Sequence, residues 1–191
     1  MEILKNILID LIQITEDEWE ILKEKLICQH YKAKSVVSSE GKIEDAVYFI
    51  DQGLIRSYYL QDGKEINTYF ACDGQFISSY SSFISQTPAL ENLEAIEEST
   101  VYAISFETMA ELYQKASKFE KLGRIMAEKN YLCVIERTRK MQILTAKEKY
   151  LDFIQTYADK IVHRVPQHQI ASYLGIAPES LSRVRKQISI S

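Results

Sequence analysis

Between residues 29 and 105 the chain is a succession of short runs rich in Val, Ile, Tyr and Phe, each cut off by glycine. "SVVS" leads to Gly41, "AVYFID" to Gly53, "LIRSYYLQ" to Asp62-Gly63 and "KEINTYFA" to Asp73-Gly74, after which "QFISSY" follows. Asp62-Gly63 is a strong signal for a two-residue hairpin turn, whose central residues need positive φ. "ENLEAIE" and "TVYAIS" then alternate apolar and polar residues, as half-buried strands do. Strands at this spacing, with no long helix among them, predict an antiparallel sandwich or small barrel.

Helical patterns flank this region. Thr15 and Glu18 form a capping-box pair. Trp19, Leu22 and Leu26 then recur at helical spacing, predicting a helix from about 16 to 27. Ser105 opens another that runs to Lys115. Ser117 starts a longer one, whose apolar stripe includes Phe119, Leu122, Ile125, Met126, Leu132, Cys133 and Ile135. At 1.5 Å per residue it reaches ~39 Å. So long a helix either lies along its own sheet or pairs with a second copy of itself. We expect pairing, through Leu122, Ile125, Met126, Leu132 and Cys133. A second capping box, Thr145 with Glu148, marks a boundary beyond which a new helical unit starts.

Charge is divided unevenly. Residues 160–191 hold Lys160, Arg164, Arg183, Arg185 and Lys186 against Glu179 alone, while the remaining residues carry 18 basic and 26 acidic side chains. A basic end on an acidic body points to a polyanionic partner for that end. Its spacing is specific. In "VPQHQIASYLGIAPESLSRVRKQI", Ile170, Ala171 and Leu174 share one face of a short helix. Gly175 suits a tight turn, Ile176 packs inward, and Pro178 suits the first position of a new helix. Leu181, Val184 and Ile188 line that helix's inner face. These offsets make a helix-turn-helix signature.

The opposite face of the second helix carries Glu179, Ser180, Ser182, Arg183 and Lys186. Arg can read guanine O6 and N7, and Glu can accept from cytosine N4. Ser180 and Ser182 suit phosphates or bases. Gln167, at the start of the first helix, is placed for a phosphate, and Arg185 suits a phosphate or the surface. The bland alternative is a pair of packed helices with a solvated polar face.

Other chemistries have little support. No apolar run approaches the ~20 residues that cross a bilayer. The N-terminus, studded with Glu2, Lys5 and Asp10, does not read as a signal peptide. A cytoplasmic protein is expected. Cys28, Cys72 and Cys133 lie far apart without a CxxC pair, so no metal site is expected. With no nucleophile–base set and no phosphate-cradling glycine loop, no enzyme is expected either, and no cofactor.

The order of a β-rich body, a long helix and a terminal helix-turn-helix resembles the Crp/Fnr transcription regulators, with their cyclic-nucleotide-binding-type β-roll. The resemblance rests on "VPQHQIASYLGIAPESLSRVRKQI" and on "GKIEDAVYFIDQGLIRSYY…DGKE…DGQFISSYSSF". "YLGIAPESLSRVRK" looks like the Bacteroidetes-type form. The resemblance implies an α+β protein: an N-terminal antiparallel β-roll or jelly-roll effector domain over 1–116, a dimerisation helix over 117–144, and a DNA-binding domain over 145–191. It implies a homodimer on a near-palindromic double-stranded DNA operator, with RNA polymerase as a further partner. Glu179 and Arg183 match the family's base-reading Glu and Arg.

The effector site departs from the family. The Gly-Glu positions that hold a cyclic nucleotide fall on Ser78 and Ser79, the Arg-Ser positions on Ala89 and Leu90, and the adenine-contacting positions on Val134 and Ile135. A buried phosphate without its cation is costly. Arg56 or Lys64 could substitute, but cyclic AMP is not expected to bind in the usual way. The hydroxyls of Ser78, Ser79, Tyr80 and Ser82 leave two readings open: a pocket for another small-molecule effector, or a vestigial site. The family's β-hairpin wing has no counterpart before Ser191. A sensor acting through protein contacts, with weak DNA affinity, is the alternative to a DNA-binding regulator.

Overall fold

A computed structural model describes residues 1–189. The expectation about the wing concerns the chain end, which lies outside the described residues. Two helices open the chain, α1 (Glu2–Ile12) and α2 (Glu16–Lys23). The sequence pattern predicts no helix at α1. Yet Leu4, Leu8 and Ile12 recur at four-residue spacing, and all three are buried. The capping box of α2 forms: the Thr15 hydroxyl accepts from the Glu18 N–H, and the Glu18 carboxylate accepts from the Thr15 N–H. This helix ends at Lys23 instead of near 27, because Ile27 opens the first strand and pairs with Ala103.

Eight strands follow: β1 (Ile27–Tyr31), β2 (Val36–Ser38), β3 (Ala46–Gln52), β4 (Leu54–Gln61), β5 (Lys64–Cys72), β6 (Phe76–Ile77), β7 (Asn92–Ala95) and β8 (Ser99–Ser105), with a short helix α3 (Tyr80–Ser85) between β6 and β7. They form two four-stranded sheets in the orders β1-β8-β3-β6 and β2-β7-β4-β5, every pairing antiparallel. The β4–β5 turn is the predicted one. Asp62 and Gly63 have φ of 50° and 74°, and Gln61 pairs with Lys64 across them. Positive φ at both central residues matches the turn to the right-handed strand twist.

Six helices complete the chain: α4 (Phe106–Lys115), α5 (Ser117–Ile143), α6 (Ala146–Thr156), α7 (Asp159–Arg164), α8 (Gln167–Leu174) and α9 (Pro178–Ser189). Strand alternation sorts the packing into layers. Ile50, Ile55, Ala71, Leu93 and Val101 fill the space between the sheets. Val47, Phe49 and Ile104 face outward against α1, α2, α4 and the first half of α5. Leu54, Phe70 and Cys72 face outward on the other side, where Phe153, Ile161, Ile170, Leu174 and Leu181 cover them. The terminal helices thus share one apolar core with the outer face of a sheet.

The long helix splits the stripe expected to pair two copies. Leu122 is buried in the chain's own core, and Ile125 and Met126 pack against that core. Leu122 is thus used within the chain, while Ile125 and Met126 stay half-buried. A 3.6-residue period shows that a helix has an apolar face, not which body covers it. Leu132 and Cys133 are exposed, as are Tyr131, Val134 and Ile135.

Candidate nucleic-acid interface and effector region

The terminal helices are seated by a few residues. Ala171 and Ile170 are fully buried where α8 meets strand β5 and α9. Gly175 caps α8 at φ +63°, and its N–H returns to Ser172. A Cβ at Gly175 would also lie 2.5 Å from Cε of Met141 on α5, so glycine meets both a backbone and a packing demand. The Ile176 N–H then bonds the Ala171 carbonyl, closing the helix end. Pro178 opens α9, and Leu181 and Val184 are buried beneath it.

With that inner face buried, Glu179, Ser182, Arg183, Arg185 and Lys186 are exposed, and Ser180 is half-buried. Arg183 Nη2 donates to Ser180 Oγ at 3.2 Å, a contact within the exposed face. Gln167 is half-buried in the first turn of α8, and its side-chain carbonyl has no hydrogen-bond partner. Two cations counted with this end are engaged elsewhere. Lys160 Nζ lies 2.8 Å from both Asp73 and Glu97, and Arg164 lies 3.2 Å from Glu97. They tie α7 to the β-rich body. The exposed basic residues of α9 are Arg183, Arg185 and Lys186.

The body also holds α8 directly. In the order β2-β7-β4-β5, β5 is an edge strand. Ser172 Oγ accepts from the Asn67 N–H at 3.0 Å and donates to the Glu65 carbonyl at 2.8 Å. Arg137, from α5, donates to the carbonyls of Asn67 and Tyr173 and lies over the Tyr173 ring. Sequence reasoning passed over Ser172 and Arg137. An Arg in helical register with Cys133 and Lys140 was the available signal.

The residues expected to form an effector pocket are dispersed. Arg56 is 2% exposed and lies on the outer face with Leu54, where Glu65, Glu94 and Asn67 take its guanidinium hydrogens and Tyr58 stacks beneath it. Burial works against its charge, but the two carboxylates raise its pKa. Its charge is already matched by two carboxylates. Ser78 Oγ donates to the Ala46 carbonyl. Ser82 Oγ accepts from the Glu44 N–H and donates to the Thr87 carbonyl. These two hydroxyls fasten the loop around α3 to the start of β3. Ser79 Oγ is buried without a partner, and Tyr80 stacks on Phe83 in the helical core. Ala89 is buried, while Leu90 is 69% exposed.

Two carboxylates of this region, Glu91 and Glu44, are held by hydrogen bonds. Glu91 accepts from Ser57 and Thr68. Glu44 is 1% exposed; burial raises its pKa, opposed by hydrogen bonds from Ser38, the Ser79 N–H, Tyr48 and the Ala46 N–H. Among the described residues no group of His, Cys, Asp and Glu could hold a metal, and no helix is long and apolar enough to cross a membrane.

Residues 28–116 match the family described as Cyclic nucleotide-binding domain. No curated protein matches the sequence. Several solved structures do match. FixK2 from Bradyrhizobium japonicum is 18% identical with a TM-score of 0.76, covering 86% of this chain and 85% of its own. The c-di-GMP responsive global regulator CLP from Xanthomonas campestris is 18% identical with a TM-score of 0.68, covering 90% of each chain. A structure described as a Crp/Fnr-family transcriptional regulator from Eubacterium rectale is 16% identical with a TM-score of 0.70, covering 93% of this chain and 85% of its own. The chain therefore has the fold of the Crp/Fnr regulators: an antiparallel β-roll of cyclic-nucleotide-binding type followed by helices.

Proposed function

We propose that this chain is a dimeric DNA-binding transcription regulator of the Crp/Fnr type, with residues 1–116 as effector domain, 117–144 as dimer helix and 145–191 as DNA-binding domain. It acts in the cytoplasm on a near-palindromic operator, alongside RNA polymerase, and is not an enzyme. The observation that carries the reading is the face of α9. Leu181 and Val184 are buried, while Glu179, Ser182, Arg183 and Lys186 face solvent on a helix that a glycine turn sets against α8. Arg183 reads a guanine, Glu179 accepts from a cytosine, and Gln167, Arg185 and Lys186 serve phosphates. The β-roll does not hold cyclic AMP in the usual way. Ala89 and Leu90 offer no cation, Arg56 is already paired, and Glu44 and Glu91 would repel a phosphate.

The test is selection of bound genomic fragments, then a polarisation titration on the best operator at fixed salt. Arg183→Ala lowers affinity by about 1–3 kcal/mol and relaxes preference at one base pair. Millimolar cyclic AMP leaves the wild-type curve unchanged. Equal affinity of wild type and variant would sink the DNA-reading assignment. The absence of any enriched fragment would favour the sensor that works through protein contacts.

A further inference from the structure

The second half of α5, α6 and α8 form an open cleft of about 90 Å³. That admits a small fragment, which stays partly exposed at the open mouth. Its floor is apolar and aromatic: Phe153, Tyr157, Tyr173, Leu174 and Met141 line it. Its charged groups do not cancel. Lys140 is held by Asp152 at 2.7 Å and by Glu136 at 3.1 Å; burial works against its charge, and these carboxylates raise its pKa. Both acids of the lining are thereby matched to one cation. Arg137 and Lys149 remain, and neither has a carboxylate partner among the described residues. Arg137 meets only carbonyls and the Tyr173 ring, and its Nε is buried without a partner. With three cations against two carboxylates, the cleft carries one uncompensated positive charge.

The tyrosines supply donors. Burial pushes the pKa of Tyr157 far up, and that of Tyr173 up as well, so both stay protonated at neutral pH. Tyr157 donates to the Tyr173 oxygen at 2.6 Å, which leaves the Tyr173 proton for an acceptor in the cleft. We infer that this cleft binds a small monoanion with a flat apolar body, an aromatic carboxylate in chemical class. The ring lies on Tyr173 and Met141, and the carboxylate meets Lys149, Arg137 and the Tyr173 hydroxyl. Such a ligand touches α5, α6 and α8 at once. Its effect on DNA affinity rests on the DNA-binding reading above; its binding does not.

Cys133 lines the cleft and is exposed, and Cys28 is exposed elsewhere, so one alkylation experiment carries its own control. The full-length protein, without DNA, is treated with iodoacetamide across a benzoate series, and each thiol is followed by peptide mass spectrometry. Benzoate slows alkylation of Cys133 saturably, in the millimolar range expected for so few atoms, and leaves Cys28 unchanged. Benzylamine protects neither thiol. Lys149→Gln, which breaks no ion pair of the fold, raises the half-protecting concentration about tenfold. Equal protection by benzylamine, or none by benzoate, overturns the site. If Cys133 is protected while benzoate leaves operator affinity unchanged in a protein that does bind DNA, the site stands and its regulatory role falls.

Discussion

Glu44 is 1% exposed, and burial is the main influence on its proton, raising its pKa above the ordinary carboxylate value. A carboxyl whose pKa is higher folded than unfolded binds its proton more tightly in the folded state. Its contribution to stability is therefore complete at low pH and is lost as pH rises from the ordinary carboxylate range through the raised value. Glu44→Gln cannot titrate. The stability gap between wild type and this variant, read from urea midpoints between about pH 4 and pH 8, will shift in the variant's favour as pH rises. A gap that does not change with pH would show that Glu44 titrates normally. At this scale the sequence was legible where an answer lay close along the chain. Leu181 and Val184 fix which side of α9 is buried, and Arg183 is exposed as a result. It was not legible where partners are distant. Arg56 finds Glu94 38 residues on as well as Glu65 across its own hairpin, and Lys160 finds Asp73 87 residues back, so no local pattern shows the full set of partners.

Among the elements, α8 meets the edge of β5, beside the ion pairs that tie α7 to the β-rich body. Ser172 is the hinge pin of the α8–β5 contact, with one oxygen meeting both a donor and an acceptor of the strand edge. Ser172→Ala leaves the Asn67 N–H without that acceptor, a loss of about 1–3 kcal/mol for a group already removed from water. The matching observation is faster hydrogen exchange at the Asn67 amide, with the β4–β5 hairpin amides of residues 60–62 unaffected. A uniform rise across the sheet would mean that the serine acts only on global stability. The hairpin itself was readable because Asp-Gly suits positive φ at both central residues, and 62 and 63 adopt it. The extents of α4 and α5 were likewise close to the pattern. The helix α1 was harder to read although its buried residues repeat at four-residue spacing, since an apolar start to a chain also suits a leader segment.

For the whole molecule, α5 divides its length between two tasks. Leu122, Ile125 and Met126 serve the chain's own core, while Tyr131, Val134 and Ile135 stand 49–65% exposed on the far half. A run of exposed large apolar residues on one helix is the natural seat of a second copy. On the dimeric, DNA-binding reading proposed above, Ile135→Asp shifts the protein from dimer to monomer in sedimentation velocity and weakens operator binding by about tenfold or more through loss of two-site attachment. A variant that sediments as wild type would place the interface elsewhere. The order of β-rich body, long helix and terminal pair was legible in the sequence, because strand punctuation and capping boxes are local. The layering, with a two-sheet sandwich roofed by helices on each outer face, was not, since it depends on which outward face each helix covers. One consequence follows from Ser172 and Arg137 covering the backbone of β5 at residues 65 and 67. Any motion that lifts the terminal helices uncovers a strand rim able to recruit another molecule's strand, so partial opening carries a hazard of irreversible clumping on warming.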